Sequence, residues 1–272
     1  MSLRDLLVRL GQRLPPWLRW KVTASPLSIV IRRALNLLSR EDLVIVPLGD
    51  PLRGHRMRLN WRHHKEYVFG VYEPTVVEVI QRVVQSGRVV QSGWVCVDVG
   101  AHIGYFTLLL AKQVGAKGKV IAFEPFPSNF QTLCENITLN GYRNVVLENK
   151  AVMEHSGLVS LEPYGDALLP FSTFAHFGSG GIPAVSLDDY FAACEDKPNF
   201  VKIDVEGMEA AVLRGMKRVL CEDRPIIVME LHAFDQYGEN HPAFEPLKEA
   251  GYTRILALGK RRREMHILAQ PA

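Results

Sequence analysis

Cysteine is scarce and scattered. The 272 residues contain four, at positions 96, 134, 194 and 221, with no C-x-x-C pair. That spacing argues against a metal knuckle, and a disulfide framework is not expected at this length. Cys96 sits in an apolar run and reads as a buried thiol. Long apolar runs are also missing, so no segment reaches the roughly 18 residues needed for a transmembrane helix. The first residues interleave leucines with Arg4, Asp5, Arg9 and Arg13, so no signal-peptide core is expected either. These absences make the reduced cytoplasm the default compartment. Excess charge is small, at +3 overall, which by itself gives no reason to expect a nucleic-acid partner.

The charge that exists is uneven. Residues 1–40 hold eight Lys/Arg and one Asp (net +7), and the rest of the chain holds 24 basic and 28 acidic residues (net −4). Leucines at 3, 6, 7, 10 and 14 and apolar residues at 27, 30, 31, 34, 35 and 38 repeat at helical spacing. The segment therefore reads as two helices packed on the body, or as a basic amphipathic arm. The arm reading implies peripheral contact with the inner surface of an anionic membrane. Segments 43–48 and 52–59 read as a hairpin through Gly49-Asp50-Pro51, and 74–85 as a helix opened by Pro74.

Beyond residue 94 the pattern repeats on a larger scale. Strands are expected at 94–98, 119–124, 145–148, 199–204, 225–231, 252–258 and 264–269. Helices are expected at 104–114, 127–139, 206–220 and 242–250. This alternation predicts an α/β fold, a doubly wound Rossmann-like sheet of seven strands. The last two strands are close enough in sequence to form an antiparallel hairpin. The Gly/Pro/Phe-rich stretch 162–183 reads as a long loop. Residues 1–65 are assigned to a basic helical and hairpin extension, and 66–272 to the main domain.

The loop Asp98-Val99-Gly100-Ala101-His102-Ile103-Gly104 follows a buried strand and opens a helix, where glycines let backbone turn and approach a ligand. The next strand ends in Glu124, placed to accept the hydroxyl protons of a ribose. A dinucleotide fingerprint starting at Gly100 needs Gly at 102 and 105, where the chain has His102 and Tyr105. Asp98 two residues before the first Gly, with Gly104 six after that Asp, fits the S-adenosylmethionine version of the loop. A nicotinamide-dependent oxidoreductase is the weaker rival.

The segment Val201-Lys202-Ile203-Asp204-Val205-Glu206-Gly207-Met208-Glu209 puts three carboxylates in six residues at a strand end. They can supply a general base or an oxygen-rich cation site, or they can complement a helix dipole. Helix capping is the preferred reading for Glu209, and function for Asp204. His232 ends the following strand and suits proton transfer near neutrality; Glu230, two residues earlier, reads as support or as a partner to a basic group. His63-His64 reads as surface or loop.

Together D-V-G-A-H-I-G-Y-F-T, A-F-E-P-F-P-S-N-F, N-K-A-V, V-S-L-D-D-Y and V-K-I-D-V-E-G-M-E-A-A-V-L-R-G resemble FkbM-type methyltransferases over roughly residues 66–232, and G-V-Y-E-P at 70–74 fits the same family. One departure is His102, where the family more often has Asn. The resemblance implies S-adenosylmethionine as cofactor and O-methylation of a hydroxyl on a sugar or other secondary metabolite. It places Asp98, Gly100, Ala101, His102 and Gly104 around the cofactor with Glu124 and Pro125. Glu73 is placed at its methionine end and Ala151 near its adenine. The expected catalytic residues are Asp204, Glu206 and His232. No metal site is assigned; a divalent metal is compatible but has no support in the sequence. Small-molecule or glycan acceptors are expected rather than nucleic acid. Methylation of nitrogen or protein, and a non-catalytic cofactor-binding scaffold, stay open as alternatives.

Overall fold

The computed structural model of the chain describes residues 11–15, 43–60, 63–85, 93–163, 173–177, 181–261 and 263–272. Apart from residues 11–15, the expected N-terminal helices and the basic arm over 1–40 lie outside them. Among the described residues, no helix is long and apolar enough to cross a membrane.

All seven expected strands meet in one sheet. In chain order they are β3 (Val95–Val99), β4 (Lys119–Phe123), β5 (Val145–Glu148), β10 (Phe200–Ile203), β11 (Ile226–Leu231), β12 (Arg254–Arg261) and β13 (Glu264–Gln270), and across the sheet they run β12-β13-β11-β10-β3-β4-β5. The five strands from β5 to β11 are parallel, and β13 runs antiparallel to both β11 and β12. Strand order reverses beside β3: the chain first builds outward through β4 and β5, then returns to place β10 on the other side. At such a switch point the loops diverge and leave a crevice above the carboxyl ends of the strands.

Side-chain alternation divides the core into two layers. Cys96, Val120, Ala122, Phe200 and Val228 face α2 (Pro74–Gln85), α3 (Tyr105–Val114) and α4 (Pro127–Leu139). Their neighbours Val97, Ile121, Val201, Ile203 and Met229 face α5 (Leu187–Ala192), α6 (Glu209–Arg214) and α8 (Phe244–Glu249). Short helices α1 (Lys65–Phe69) and α7 (Phe234–Tyr237) are also present.

The hairpin of β1 (Leu43–Pro47) and β2 (Arg56–Asn60) packs Val46, Met57 and Leu59 into the first layer. The backbone edge of β2 is covered by α4. Asn136 accepts from the Arg58 N–H (2.6 Å) and donates to the carbonyls of Arg58 (3.1 Å) and Ile103 (2.8 Å). Asn136 thus pairs one residue of a strand edge that would otherwise stay open, as Asn140 does for Arg56, and fastens the glycine loop to the same helix.

Two expectations need correction. Part of the 162–183 stretch is strand rather than loop. It contributes to a second sheet of order β6-β9-β7-β8, built from β6 (Ala151–Val152), β7 (Gly157–Pro163), β8 (Thr173–Phe177) and β9 (Ile182–Val185). Val159, Ala184, Ala151 and Ala211 give it a small core of its own. The helix expected over 206–220 spans only Glu209–Arg214 before a π-helical turn at Val219–Asp223. A Cβ on Gly215 would stand 2.1 Å from the Met153 carbonyl oxygen, and the Asp188 carboxylate caps the new turn at the Arg218 and Val219 amides.

Candidate active site

The glycine loop is shaped by close backbone contact. Gly100 has φ +81°, and a Cβ there would lie 1.8 Å from the carbonyl oxygen of Asp204. Only glycine lets the end of β3 come this near the end of β10. Gly104, at φ +97°, starts α3 beneath Leu133, whose Cδ1 would be 2.7 Å from an added Cβ. His102 takes φ +51°, a region His tolerates better than most residues, so the turn survives the departure from Asn.

Glu124 ties this wall together. Its Oε2 accepts from the His102 amide (2.8 Å), and Oε1 accepts from the Phe126 amide (3.0 Å) and Asn129 Nδ2 (3.3 Å). Burial raises the carboxyl to about 7, against the opposing pull of those amides. Burial also lowers His102 to about 4, so its ring is neutral near pH 7.

Above the switch point lies a cavity of about 440 Å³. Of the residues expected around a cofactor, Glu73, Gly100, His102, Glu124, Pro125 and Ala151 line it. Asp204, Glu206 and His232 line it as well. Asp98, Ala101 and Gly104 do not. Asp98 faces α3, where it is fully buried and accepts from the Thr107 hydroxyl at 2.7 Å. It shares its face of the sheet with Lys202 and Asp204, which reach the cavity, while Asp98 itself stays fully buried against α3. His63 and His64, read from sequence as surface or loop, line the cavity too, and burial drops His64 to about 3.

Beside the glycine loop, charged side chains form the next part of the wall. Lys202 is 4% exposed, with Nζ 3.6 Å from Asp98 Oδ1 and 3.3 Å from Asp204 Oδ2. Burial alone would raise the Asp204 carboxyl, but Lys202, His232 and His266 outweigh it and hold the carboxyl below its usual range. His232 is gripped from both sides, by Glu209 at Nδ1 (2.7 Å) and by Glu206 at Nε2 (3.1 Å). Burial disfavours its charge, yet the two carboxylates lift it to about 12. In the protonated form both nitrogens donate to these carboxylates and the ring is a fixed cation; the expected general-base role requires the neutral ring. Glu209, the first residue of α6, accepts from the Gly207 amide at 2.8 Å while orienting His232. It therefore does more than complement the helix dipole.

A neighbouring pair was only half visible in the sequence. Glu230 and His266 are register partners on β11 and β13. His266 Nε2 sits 3.5 Å from Glu230 and 3.3 Å from Glu73. Burial opposes its charge, but the two carboxylates raise it to about 10. Burial and the repulsion of Asp204 push Glu230 up to about 8. Glu73, Glu230 and His266 offer ligand atoms within 4.8 Å of one another, as do Asp204, Glu230 and His232. In the first group His266 pairs with Glu73 and Glu230, and in the second His232 pairs with Glu206 and Glu209 from outside the group.

Lys202 and the ring pair Tyr67–Tyr72, whose centroids are 4.5 Å apart beside the cavity, carried no expectation from sequence. A signal for Lys202 was present: a lone lysine inside the buried strand Phe-Val-Lys-Ile requires a partner.

The cradle fits a nucleoside-bearing cofactor on two observations, the backbone opening that Gly100 alone permits and the buried carboxylate of Glu124 on the cavity wall. Comparison with known proteins agrees. A curated hexuronic acid methyltransferase, AglP of Haloferax volcanii, is 34% identical over 137 residues, covering 50% of this chain and 55% of that protein. Methyltransferase 1 of Beauveria bassiana is 24% identical over 143 residues, covering 44% and 57%. The alignments thus span little more than half the length of these relatives. A crystal structure of a methyltransferase FkbM from Methylobacillus flagellatus KT aligns at 21% identity and TM-score 0.49, covering 75% of this chain and 52% of that one. Residues 98–254 match the Methyltransferase FkbM domain. That match takes in more than half of the chain, which therefore belongs to the FkbM family of S-adenosylmethionine-dependent methyltransferases.

Proposed function

We propose that this chain methylates a hydroxyl group, on a sugar or another secondary metabolite, with Asp204 as the general base. The observation that carries the reading is the Asp204 carboxylate on the cavity wall, kept ionised by Lys202 and facing the space beside the glycine loop. S-adenosylmethionine supplies, when bound, a methyl group already activated on a sulfonium. What remains for the protein is to align the acceptor oxygen and take its proton.

In this reading Glu124 accepts the ribose hydroxyls and Glu73 holds the methionine end. Gly100, His102, Pro125 and Ala151 shape the pocket around the donor. Asp204 receives the hydroxyl proton as the oxygen–methyl bond forms. Glu206 and the His232 imidazolium frame the acceptor. The AglP name supports a sugar acceptor, since that relative is described by a hexuronic acid. Calorimetry with S-adenosylhomocysteine, followed by a sugar-acceptor panel on the wild type and Asp204→Asn, tests the proposal. Binding without any Asp204-dependent turnover would refute the base assignment.

Two further parts of the reading concern organisation. Residues 1–65 are proposed as an extension and 66–272 as the methyltransferase domain, and the family match at 98–254 lies within the second. The +7 charge of residues 1–40 supports peripheral contact with an anionic membrane. Salt-sensitive sedimentation with phosphatidylglycerol vesicles, lost when 1–40 are deleted, is the expected result. Equal sedimentation of both forms would exclude that contact.

A further inference from the structure

We propose that Lys202 is a positioning residue for Asp204. Its ammonium, held between Asp98 below and Asp204 above, fixes the Asp204 carboxylate on the cavity wall in its proton-accepting form. The inference rests on the reading of Asp204 as base.

The arrangement follows from strand parity. Residues 200, 202 and 204 point to one side of β10, and the register sets Lys202 directly beside Asp98 on β3. Phe200, Val201 and Ile203 around it are all buried. An ammonium there would be strongly unfavourable without compensation. Asp98 and Asp204 provide it, at 3.6 and 3.3 Å, and the ring of Phe106 lies 4.8 Å from the charge.

The two carboxylates are not equivalent. Asp98 is fully buried and anchored by the Thr107 hydroxyl, and its Oδ1 has no hydrogen-bond partner apart from the ion pair across to Lys202. It is a fixed counter-charge below the cavity. Asp204 is the partner that reaches the cavity. The chain of contacts therefore runs Thr107 to Asp98 to Lys202 to Asp204, from the α3 layer to the reacting space. This also explains why Asp98 belongs to the glycine-loop motif without lining the pocket: it connects the donor strand to the base.

Other groups act on Asp204 from each packed element. Tyr67 and Tyr72 approach from the α1 side, and Asp98 and His102 from β3 and its loop. Glu206 follows on its own loop, Glu230 stands on β11 with His232 just past its end, and His266 stands on β13. The two histidines are paired with Glu206, Glu209, Glu73 and Glu230. Among the described residues, Lys202 is the cation in direct ion-pair contact with Asp204.

The test uses the full chain carrying carboxyl-¹³C aspartate and saturated with S-adenosylhomocysteine, with the Asp204 resonance assigned by Asp204→Asn. In the wild type Asp204 should titrate below the ordinary value of about 3.9. Lys202→Met should move the midpoint up by about 1–3 pH units, and Lys202→Arg should restore most of the difference. If Lys202→Met does not fold, Lys202→Gln is neutral, can hydrogen-bond both carboxylates and should show the same upward movement. An unchanged midpoint in a folded, neutral variant overturns the proposal. Failure of the wild type to bind S-adenosylhomocysteine by calorimetry would instead undermine the methyltransferase reading, and the titration without ligand would still report on Lys202.

Discussion

The two walls of the cavity are built on different principles. On the side of β3 and β4, the main chain does the holding: Gly100 touches the backbone of Asp204, and Glu124 takes two of its three hydrogen bonds from amides. On the side of β10, β11 and β13, side-chain charges hold one another: Lys202 with Asp98 and Asp204, His232 with Glu206 and Glu209, His266 with Glu73 and Glu230. A main-chain wall responds to volume and little to pH, whereas an ion-paired wall responds to protonation. The contrast suits the division of labour proposed for them, since a constant donor needs a fixed cradle and proton transfer needs tuned carboxylates.

The hardest test of the main-chain wall is Gly100→Ala. A methyl group 1.8 Å from the Asp204 carbonyl must displace backbone on one side, and the residue must also hold φ +81°. Binding of S-adenosylhomocysteine should weaken by more than about 100-fold, with a loss of stability of about 3 kcal/mol or more. Near wild-type affinity by calorimetry would show that the loop can move away from β10. On the ionic wall, Asp204→Asn should lower methyl transfer by about 10²–10⁴-fold while S-adenosylhomocysteine affinity stays within about threefold. A parallel fall in affinity would mean that the two walls are not separable.

Glu124 is the exception that sharpens the comparison, because it is a titrating group within the main-chain wall. Burial raises its carboxyl to about 7, and the ionised form is the better acceptor for ribose hydroxyls. S-adenosylhomocysteine should therefore bind more tightly as pH rises through about 7. Glu124→Gln should bind about 10–100-fold more weakly at high pH and lose that dependence. A flat profile in the wild type would mean that Glu124 is already ionised through its amides.

The sheet was legible because buried parallel strands alternate with helices at a period too regular to arise otherwise. Each of the seven strands appears where its apolar run lies. The small sheet was not. β6 has two residues, and β8 is bordered by glycine- and proline-containing stretches that mask its alternation. At the site, residues fixed by local geometry were readable, such as Gly100 and Glu124 at consecutive strand ends. The burial of Asp98 was not legible, because a motif gives position along a strand without giving the neighbours, here Thr107 and Lys202, that the side chain meets. His232 was found as a strand-end histidine. Its charge state depends on Glu206 and Glu209, whose convergence on the ring is set by the tight turn around Gly207 at φ +102°.

That charge state gives the smallest and most discriminating effect. His232 has a folded-state pKa of about 12, raised from an ordinary value of about 6.5. Its stabilising contribution is therefore complete below about pH 6.5 and is lost progressively as pH climbs toward the folded value. His232→Gln removes the titration but keeps a hydrogen-bonding side chain beside Glu209. The melting temperature of the wild type should thus fall relative to this variant by a few degrees between about pH 6.5 and 9. A gap between the two proteins that does not change with pH would mean that the imidazole is neutral when folded. The ionic wall would then be weaker than its distances imply, and a lone pair on His232 would again be available to take the acceptor's proton.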